Sequence, residues 1–505
     1  LGNYSSYLQG LRDIKEANIA TYVVLAFTLL YSCLPTTNST SDAYGYACNT
    51  EIGGHHALYD LLAAFFFNLL GSKITLATLK ILNAFFAGGT LLILGKLLQS
   101  QKAKNPWIWV LFAGSCFGFM RFATENETYI IPIFFSLLGI YFLARYELIP
   151  KYSQLFFAYL CLTVAIGFHQ IHIFWATAAT LALWRKKHRI KMEFIVPVCF
   201  AILFFFINWI GAAYFHKTLG QWWLGDVQEG LVNLKPGLVN FKMTGINFVR
   251  SFYQVHGNIY LFIHDFFIAK MAILISLILC ISAFYFTFKY KYKKIPKREY
   301  SVVQNAILLA FILQFGFAWF SEGNAEFMVM LPLLLILYFA LNFSVKPLPI
   351  VFLAASLLIW NLAIAIIPNH FLNFENTQSL SAKLQSHGNH TFIGYDKILL
   401  ENYMDFSEPM GKRNHLREKH NDNIKIVKSP ADFQNNPLLE NYIRNLFKDS
   451  TAVYTDCINH PAPMSRKSIL NGDLNATFFL QYKTLKVDSF QSYYGRIYIH
   501  RVLPK

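Results

Sequence analysis

Eleven apolar stretches, near 18–35, 74–98, 107–122, 128–144, 155–168, 171–184, 193–215, 267–288, 302–320, 327–343 and 350–367, dominate the chain. Each is long enough to cross a bilayer, some only with tilt or with burial inside a bundle. In hydrocarbon every backbone polar group must be satisfied internally, and runs of this length do so as helices. The expected fold is therefore an α-helical polytopic membrane protein with about eleven transmembrane helices. The stretch 155–184 carries "GFHQIH" in its middle and reads as two short spans meeting at a polar turn. The first run has Arg12 and Lys15 ahead of it and no small-residue cleavage site behind it, which is expected of an uncleaved first span.

Charge follows the same pattern. The formal net charge is +16, yet only 14% of residues are charged and 55% are hydrophobic. The basic residues sit in "QSQKAKNP", "RYELIPKYS", "RKKHRIK", "KYKYKKIPKREY" and "SVKPLP", short loops between apolar runs, where the positive-inside rule puts them on the inner side. Basicity here reports topology and implies no nucleic-acid partner. The opposite loops, "TTNSTSDAYGYACNTEIGG", "TENET", "HQIH" and "SEGNAEF", lack Lys and Arg, and only the long stretch 216–266 carries outer cations. Acids and histidines therefore collect on one side, expected to be the outer face of an inner or plasma membrane.

From about residue 368 the composition turns polar, with short alternating runs such as "TAVYTDC" and "GRIYIHRV" that read as strands. This divides the chain into a transmembrane part, 1–367, expected to be catalytic, and a C-terminal soluble α/β domain, 368–505, which an odd number of spans places outside. Cys116, Cys161, Cys199 and Cys280 lie in apolar runs without metal-ligand spacing, so no metal site is read from them.

Several polar residues stand out at the outer ends of the spans. Asp42 follows the first run, with Glu51, His55 and His56 close behind, then the amphipathic stretch "HHALYDLLAAFFFNLLG". Such a stretch lies flat in the interface with its polar face over a cavity, and the alternative for Asp42 is a turn cap in a solvated loop. Glu125 and Glu127 in "TENET" either pair with Arg121, one turn earlier, or face a polar cavity. His169 and His172 are either helix-end residues bonded to backbone or cavity-lining groups. Glu322 and Glu326 occupy the turn "SEGNAEF". Among the outer cations, Arg250 with His256 best fits an anion clamp, and Lys242 belongs to the same stretch.

Three segments carry a family likeness. A span, an acid in the first outer loop and a helix opening "HHALY" resemble the start of the glycosyltransferase C superfamily. Its members use polyprenyl-phosphate-linked sugars, and protein O-mannosyltransferases and lipid A aminoarabinose transferases are examples. "MRFATENETYIIPIFFSLLGIYFLARY" is similar to the superfamily's acid-rich turn before a span, and "SEGNAEFMVMLPLLLILYFAL" to its late-span pattern. Ala57 stands where the pattern has proline, and Glu326 where many members have arginine. The second departure leaves the usual phosphate-binding group unassigned.

The resemblance implies an inverting transferase that moves a sugar from a polyprenyl phosphate donor to a lipid, glycan or protein acceptor. Such chemistry needs one carboxylate to take the acceptor's proton and a cationic or hydrogen-bonding clamp for the leaving phosphate. Asp42 matches the base position, with Glu51 the fallback. Arg250, His256, His169 and Lys242 are the candidate phosphate ligands. His55, His56, Glu125, Glu127, Arg121, His172, Glu322 and Glu326 are expected to line the cavity. The residues leave assistance by a divalent metal ion open. The rival readings are a lipid or glycan transporter and a polymerase or ligase using a pyrophosphate-linked glycan. The first would show mid-span charges or broken helices in paired halves, the second more outer Arg and Lys. Cys48 and Cys457 both fall on the outer side, where they form a disulfide or remain two unrelated thiols.

Overall fold

In a computed structural model, residues 2–48, 56–185, 190–224, 237–255, 259–290, 293–294, 301–407, 424–430, 436–461 and 474–504 are described. The first part is helical throughout: α1 (Gly2–Cys33), α2 (Ser41–Cys48), α3 (Ala57–Leu70), α4 (Ser72–Ser100), α5 (Pro106–Ser115), α6 (Phe117–Ala123), α7 (Ile130–Leu148), α8 (Tyr152–Phe168) and α9 (Ile173–Arg185). It continues through α10 (Ile190–Tyr214), α11 (Leu219–Leu224), α12 (Leu238–Phe252), α13 (Ile259–Asp265), α14 (Phe267–Lys289), α15 (Val302–Phe320), α16 (Leu331–Asn342), α17 (Pro347–Asn361) and α18 (Ile367–Phe371). The chain is a multi-pass membrane protein by the length and hydropathy of these helices.

Of the roughly eleven expected spans, the helix lengths bear out part. Six helices among the described residues are long and apolar enough to cross alone, and four shorter apolar ones, 18–33, 57–70, 152–168 and 326–342, accompany them. The stretch 107–122 is divided in two, α5 and α6 meeting at a 70° bend. Back-bonding explains where it breaks: Ser115 Oγ donates to Leu111 O at 2.8 Å and Cys116 Sγ to Phe112 O, competing with the helix ladder. The freed carbonyls are then captured, Gly114 O by the Tyr31 hydroxyl at 2.6 Å and Ser115 O by the Asn361 amide at 2.9 Å. Residues 155–184 do divide in two, at a 3₁₀ turn over Gln170–His172.

One apolar core joins α1, α4 to α9 and α15 to α17, with Trp175, Leu91, Leu94 and Phe122 fully or almost fully buried. By contrast α10 and α14 expose most of their surface, with only 22% of each apolar window buried, as lipid-facing helices do.

Two short strands, β1 (Lys293–Lys294) and β2 (Phe343–Ser344), pair within the helical part. The C-terminal part forms a five-stranded sheet of β3 (His390–Gly394), β4 (Ile424–Lys428), β5 (Ala452–Thr455), β6 (Lys483–Ser492) and β7 (Gly495–Leu503), in the order β4-β3-β5-β7-β6. Strand β3 runs parallel to β4 and β5, whereas β7 is antiparallel to β5 and β6. Leu380 and Leu384 of α19 (Thr377–Ser386) pack on one face with Leu400 and Met404 of α20 (Lys397–Ser407). Leu439 and Ile443 of α21 (Asn436–Lys448) cover the other face with Phe478 and Phe479 of α22 (Leu474–Phe479). This is a three-layer α/β arrangement.

Helix α20 is the hinge between sheet and bundle. Asn402 donates to Ser41 O at 2.8 Å, Ser72 Oγ to Phe406 O at 3.0 Å, and Tyr44 packs its ring 4.9 Å from Phe406. The loop before α2 is tied independently, Asn38 Nδ2 donating to Asn369 O and Leu372 O. The possible Cys48–Cys457 disulfide is not formed: Cys48 is buried against Phe406, and Cys457 in the core with Ile393 and Val453.

Candidate functional site

Asp42 sits in the first turn of α2, where the helix dipole favours a carboxylate. Its side chain is exposed to solvent, yet protein surrounds it closely enough that burial raises its pKa, helped by Glu326 and Asp396. The helix opens at Thr40, whose hydroxyl accepts from Ala43 N at 3.2 Å, a normal N-cap bond. The same hydroxyl donates to Glu127 Oε1 at 2.5 Å.

Glu125, Asn126 and Glu127 are buried, on the turn between α6 and α7. Their backbone is pinned by Asn83 of α4, which donates to Glu125 O at 2.7 Å and Glu127 O at 2.8 Å. Asn126 links the turn to two neighbours, accepting from the Tyr59 hydroxyl at 2.5 Å and donating to Ala43 O at 2.8 Å. The pairing expected with Arg121 goes instead to Lys80 of α4, whose Nζ lies 3.8 Å from Glu125 Oε1. The same ammonium donates to Thr36 O at 2.8 Å and Ser39 Oγ at 2.6 Å. Burial raises the Glu125 pKa, opposed first by Lys80. Glu127 is pushed well up, by burial and then by Asp42 and Glu326.

Glu326 opens the 3₁₀ turn Glu326–Met328 and accepts the Tyr129 hydroxyl at 3.0 Å. Glu322 lies in the preceding turn at φ 54°, half-buried. Facing this turn are two guanidiniums. Arg121, at the C-terminal turn of α6, lies over the Phe122 ring at 4.9 Å. Arg250, in the last turn of α12, lies over Phe117 at 5.7 Å and donates through Nε to Gln254 at 3.0 Å. Arg121 and Glu326 are the charged groups that act on Arg250. Two neighbouring guanidiniums form a place where an anion is stabilised.

An aromatic and imidazole wall completes the arrangement. His56 stands 4.4 Å from His169, His169 4.9 Å from Tyr129, and Tyr46 5.0 Å from Tyr59, all between ring centroids. His172 is fully buried, its Nδ1 2.7 Å from Ser136 Oγ. On either side of the His169–His172 turn, Ile166 and Ile173 reach an open apolar cleft of about 650 Å³ lined by α8, α9, α10 and α11.

The structure thus brings together Asp42, Glu127, Glu326, Arg121, Arg250, His56 and His169, with Glu125 just behind. It does not bring Lys242, which lies on the exposed side of α12 about 12 Å of helix rise from Arg250. Glu51, His55 and His256 lie outside the described residues. Among the described residues no three His, Cys, Asp or Glu side chains are arranged to hold a metal ion. Sequence reasoning missed Lys80, although a lone lysine inside an apolar run is itself a signal. It also missed Asp396, which caps α20 through Leu399 N at 3.1 Å and comes from the C-terminal part, where no pattern announces it.

No family model and no curated protein matches this sequence. Among solved structures, the crystal structure of ArnT from Cupriavidus metallidurans in the apo state is similar to this chain over 98% of each, at 8% sequence identity and a TM-score of 0.41.

Proposed function

We propose that this protein is an inverting membrane glycosyltransferase that moves a sugar from a polyprenyl phosphate carrier to an acceptor hydroxyl on the outer face. The observation that carries the reading is the placement of Asp42 with Glu127 and Glu326 on one side and Arg121 with Arg250 on the other, at one end of the bundle. In the reaction Asp42 takes the proton as the acceptor oxygen attacks the anomeric carbon. The bond from that carbon to the phosphate oxygen breaks, and the polyprenyl phosphate leaves with the electron pair. Arg250 and Arg121 stabilise the charge gathering on it. Burial, Glu326 and Asp396 keep the Asp42 carboxyl basic enough to accept a proton.

The apolar cleft beside the His169 turn offers hydrocarbon-lined space near the site for part of the carrier. Contacts from α20, and the nearness of Asp396, put the C-terminal part against the loop that bears Asp42, where it would shape the acceptor side. The acceptor is a lipid, a glycan or a protein.

The test is direct. Lipid extracted from the purified full-length protein is analysed by mass spectrometry, and reconstituted protein is given a polyprenyl phosphate sugar and assayed for release of polyprenyl phosphate. Neither copurified polyprenyl phosphate nor release from the added donor would reject the reading.

A further inference from the structure

Helix α12 has its polarity reversed relative to a helix in water. Asn240, Thr244, Asn247 and Ser251 are buried and recur at helical spacing, forming one polar stripe that faces the protein. On the outside are Leu238 at 84% exposure, Phe241 at 65% and Val249 at 49%. The buried stripe is bonded, not merely covered. Asn240 donates to Trp319 O at 2.8 Å and Asn247 to Gly323 O at 2.7 Å. The approach is close enough that a Cβ on Gly323, at φ +66°, would lie 2.3 Å from Thr244 N.

Its position fixes what covers the apolar side. Helix α12 packs on the last turn of α15, a spanning helix that exposes Leu308 and Ile312, with Phe241 and Trp319 rings 5.4 Å apart. That end carries Trp319, a residue type of the membrane boundary. At 15 residues, α12 is too short to cross. Lys242 lies among the exposed apolar side chains, where a long ammonium side chain reaches up to lipid head groups.

We infer that α12 lies along the membrane surface with Leu238, Phe241, Ile246 and Val249 among the acyl chains of bilayer lipids, and so carries Arg250, on the border of its two faces, at the depth of lipid phosphates. The occupant of this face is lipid, and the placement deepens the role proposed for Arg250 without requiring turnover to be observed. A photoreactive benzoylphenylalanine is introduced at Phe241, and separately at Val249, in the full chain reconstituted into phosphatidylcholine and phosphatidylglycerol vesicles. Leu480, exposed on the C-terminal part, serves as the comparison site. Irradiation is expected to give phospholipid adducts at both α12 positions, severalfold above those at Leu480. Adducts to peptides of this chain, to a second copy, or lipid yields no higher than at Leu480 overturn the inference. If the Phe241 variant does not fold, the Val249 result decides. Because adducts are read by mass, a failure of the glycosyltransferase reading leaves this outcome unchanged and separately visible.

Discussion

The Thr40 hydroxyl accepts from Ala43 N and donates to Glu127 Oε1, so one oxygen both caps the helix bearing Asp42 and holds the second carboxylate of the site. Thr40 thus ties the two acids together, beside the bond from Asn126 to Ala43 O. Thr40→Val keeps the shape and deletes the hydroxyl, leaving a buried carboxylate without its donor and α2 without its cap. We expect a loss of about 1–3 kcal/mol of stability by thermal unfolding, together with reduced transfer. Thr40→Ser should restore both, and equal defects in the two variants would assign the effect to packing.

Asp42→Asn should abolish transfer while leaving donor binding intact, because shape is preserved and the base is gone. Retention of a tenth or more of the wild-type activity would remove Asp42 from that role. The neighbours add a sharper test. Burial and Glu326 raise the Asp42 pKa, so the rate should fall, as pH is lowered, at a pH above the ordinary aspartate range. Glu326→Gln deletes a negative neighbour and should move that acid limb to lower pH. An unmoved limb would mean that the titrating group is not Asp42.

Arg250→Ala should weaken apparent donor affinity about tenfold or more, since a charged hydrogen bond to phosphate in a partly desolvated site is worth more than a surface pair. Arg250→Lys should recover only part, because an ammonium supplies a point charge where the guanidinium supplies a planar fork. Titration with the lipid donor distinguishes these outcomes, and unchanged affinity in the alanine variant would shift the clamp to Arg121.

Lys80 is an ammonium buried in an apolar helix, bonded to Thr36 O and Ser39 Oγ and facing Glu125. Lys80→Met strands the carboxylate and frees the loop leading to α2. The expected cost is about 3–5 kcal/mol, because breaking one side of a buried pair leaves the other charge uncompensated. Lys80→Met combined with Glu125→Gln should cost less than Lys80→Met alone, and a purely additive pair of effects would show the two are not coupled.

The bundle was legible because hydropathy is summed over long windows, and a spanning helix must be apolar along its length whatever it packs against. The polar turn at His169 and the strands in "TAVYTDC" and "GRIYIHRV" were legible for the same reason: they change period or polarity abruptly. The break at Cys116 was not, because it depends on Tyr31 and Asn361 capturing carbonyls from far away in sequence. Helix α12 was read as part of a loop, since its polar and apolar stripes look alike whichever way round they face. For the site, residue types at the span ends marked the right neighbourhood. They did not reveal that Glu125 answers to Lys80, or that Asp396 approaches Asp42 from some 350 residues downstream.

Glu375, Asp396, Asp456 and His460 line a small crevice at the carboxyl ends of β3 and β5, and two of its acids are poised to titrate near neutrality. Asp456 is 2% exposed, accepts Tyr395 N at 2.7 Å, and burial raises its pKa to about 7. Glu375 is likewise raised to about 7, by burial and then by Asp396. A carboxyl whose folded value is raised favours the folded state below its unfolded value near 3.8, and that contribution is lost as pH rises through about 7. His460 opposes this at lower pH. Burial lowers it to about 4, so its contribution is present above about 6.5 and lost as pH falls towards 4. Between about 4 and 6.5 the two carboxyls outweigh the single histidine, so the crevice as a whole should lose stability as pH rises towards about 7. Asp456→Asn keeps an acceptor for Tyr395 N and cannot ionise. It should flatten the decline by up to ~1.4 kcal/mol per pH unit and, with Glu375→Gln added, leave only the rise that His460 contributes from this crevice. Thermal unfolding in detergent from about pH 4.5 to 7 reads the slope, and an Asp456→Asn curve parallel to wild type would place the Asp456 pKa back in the ordinary range.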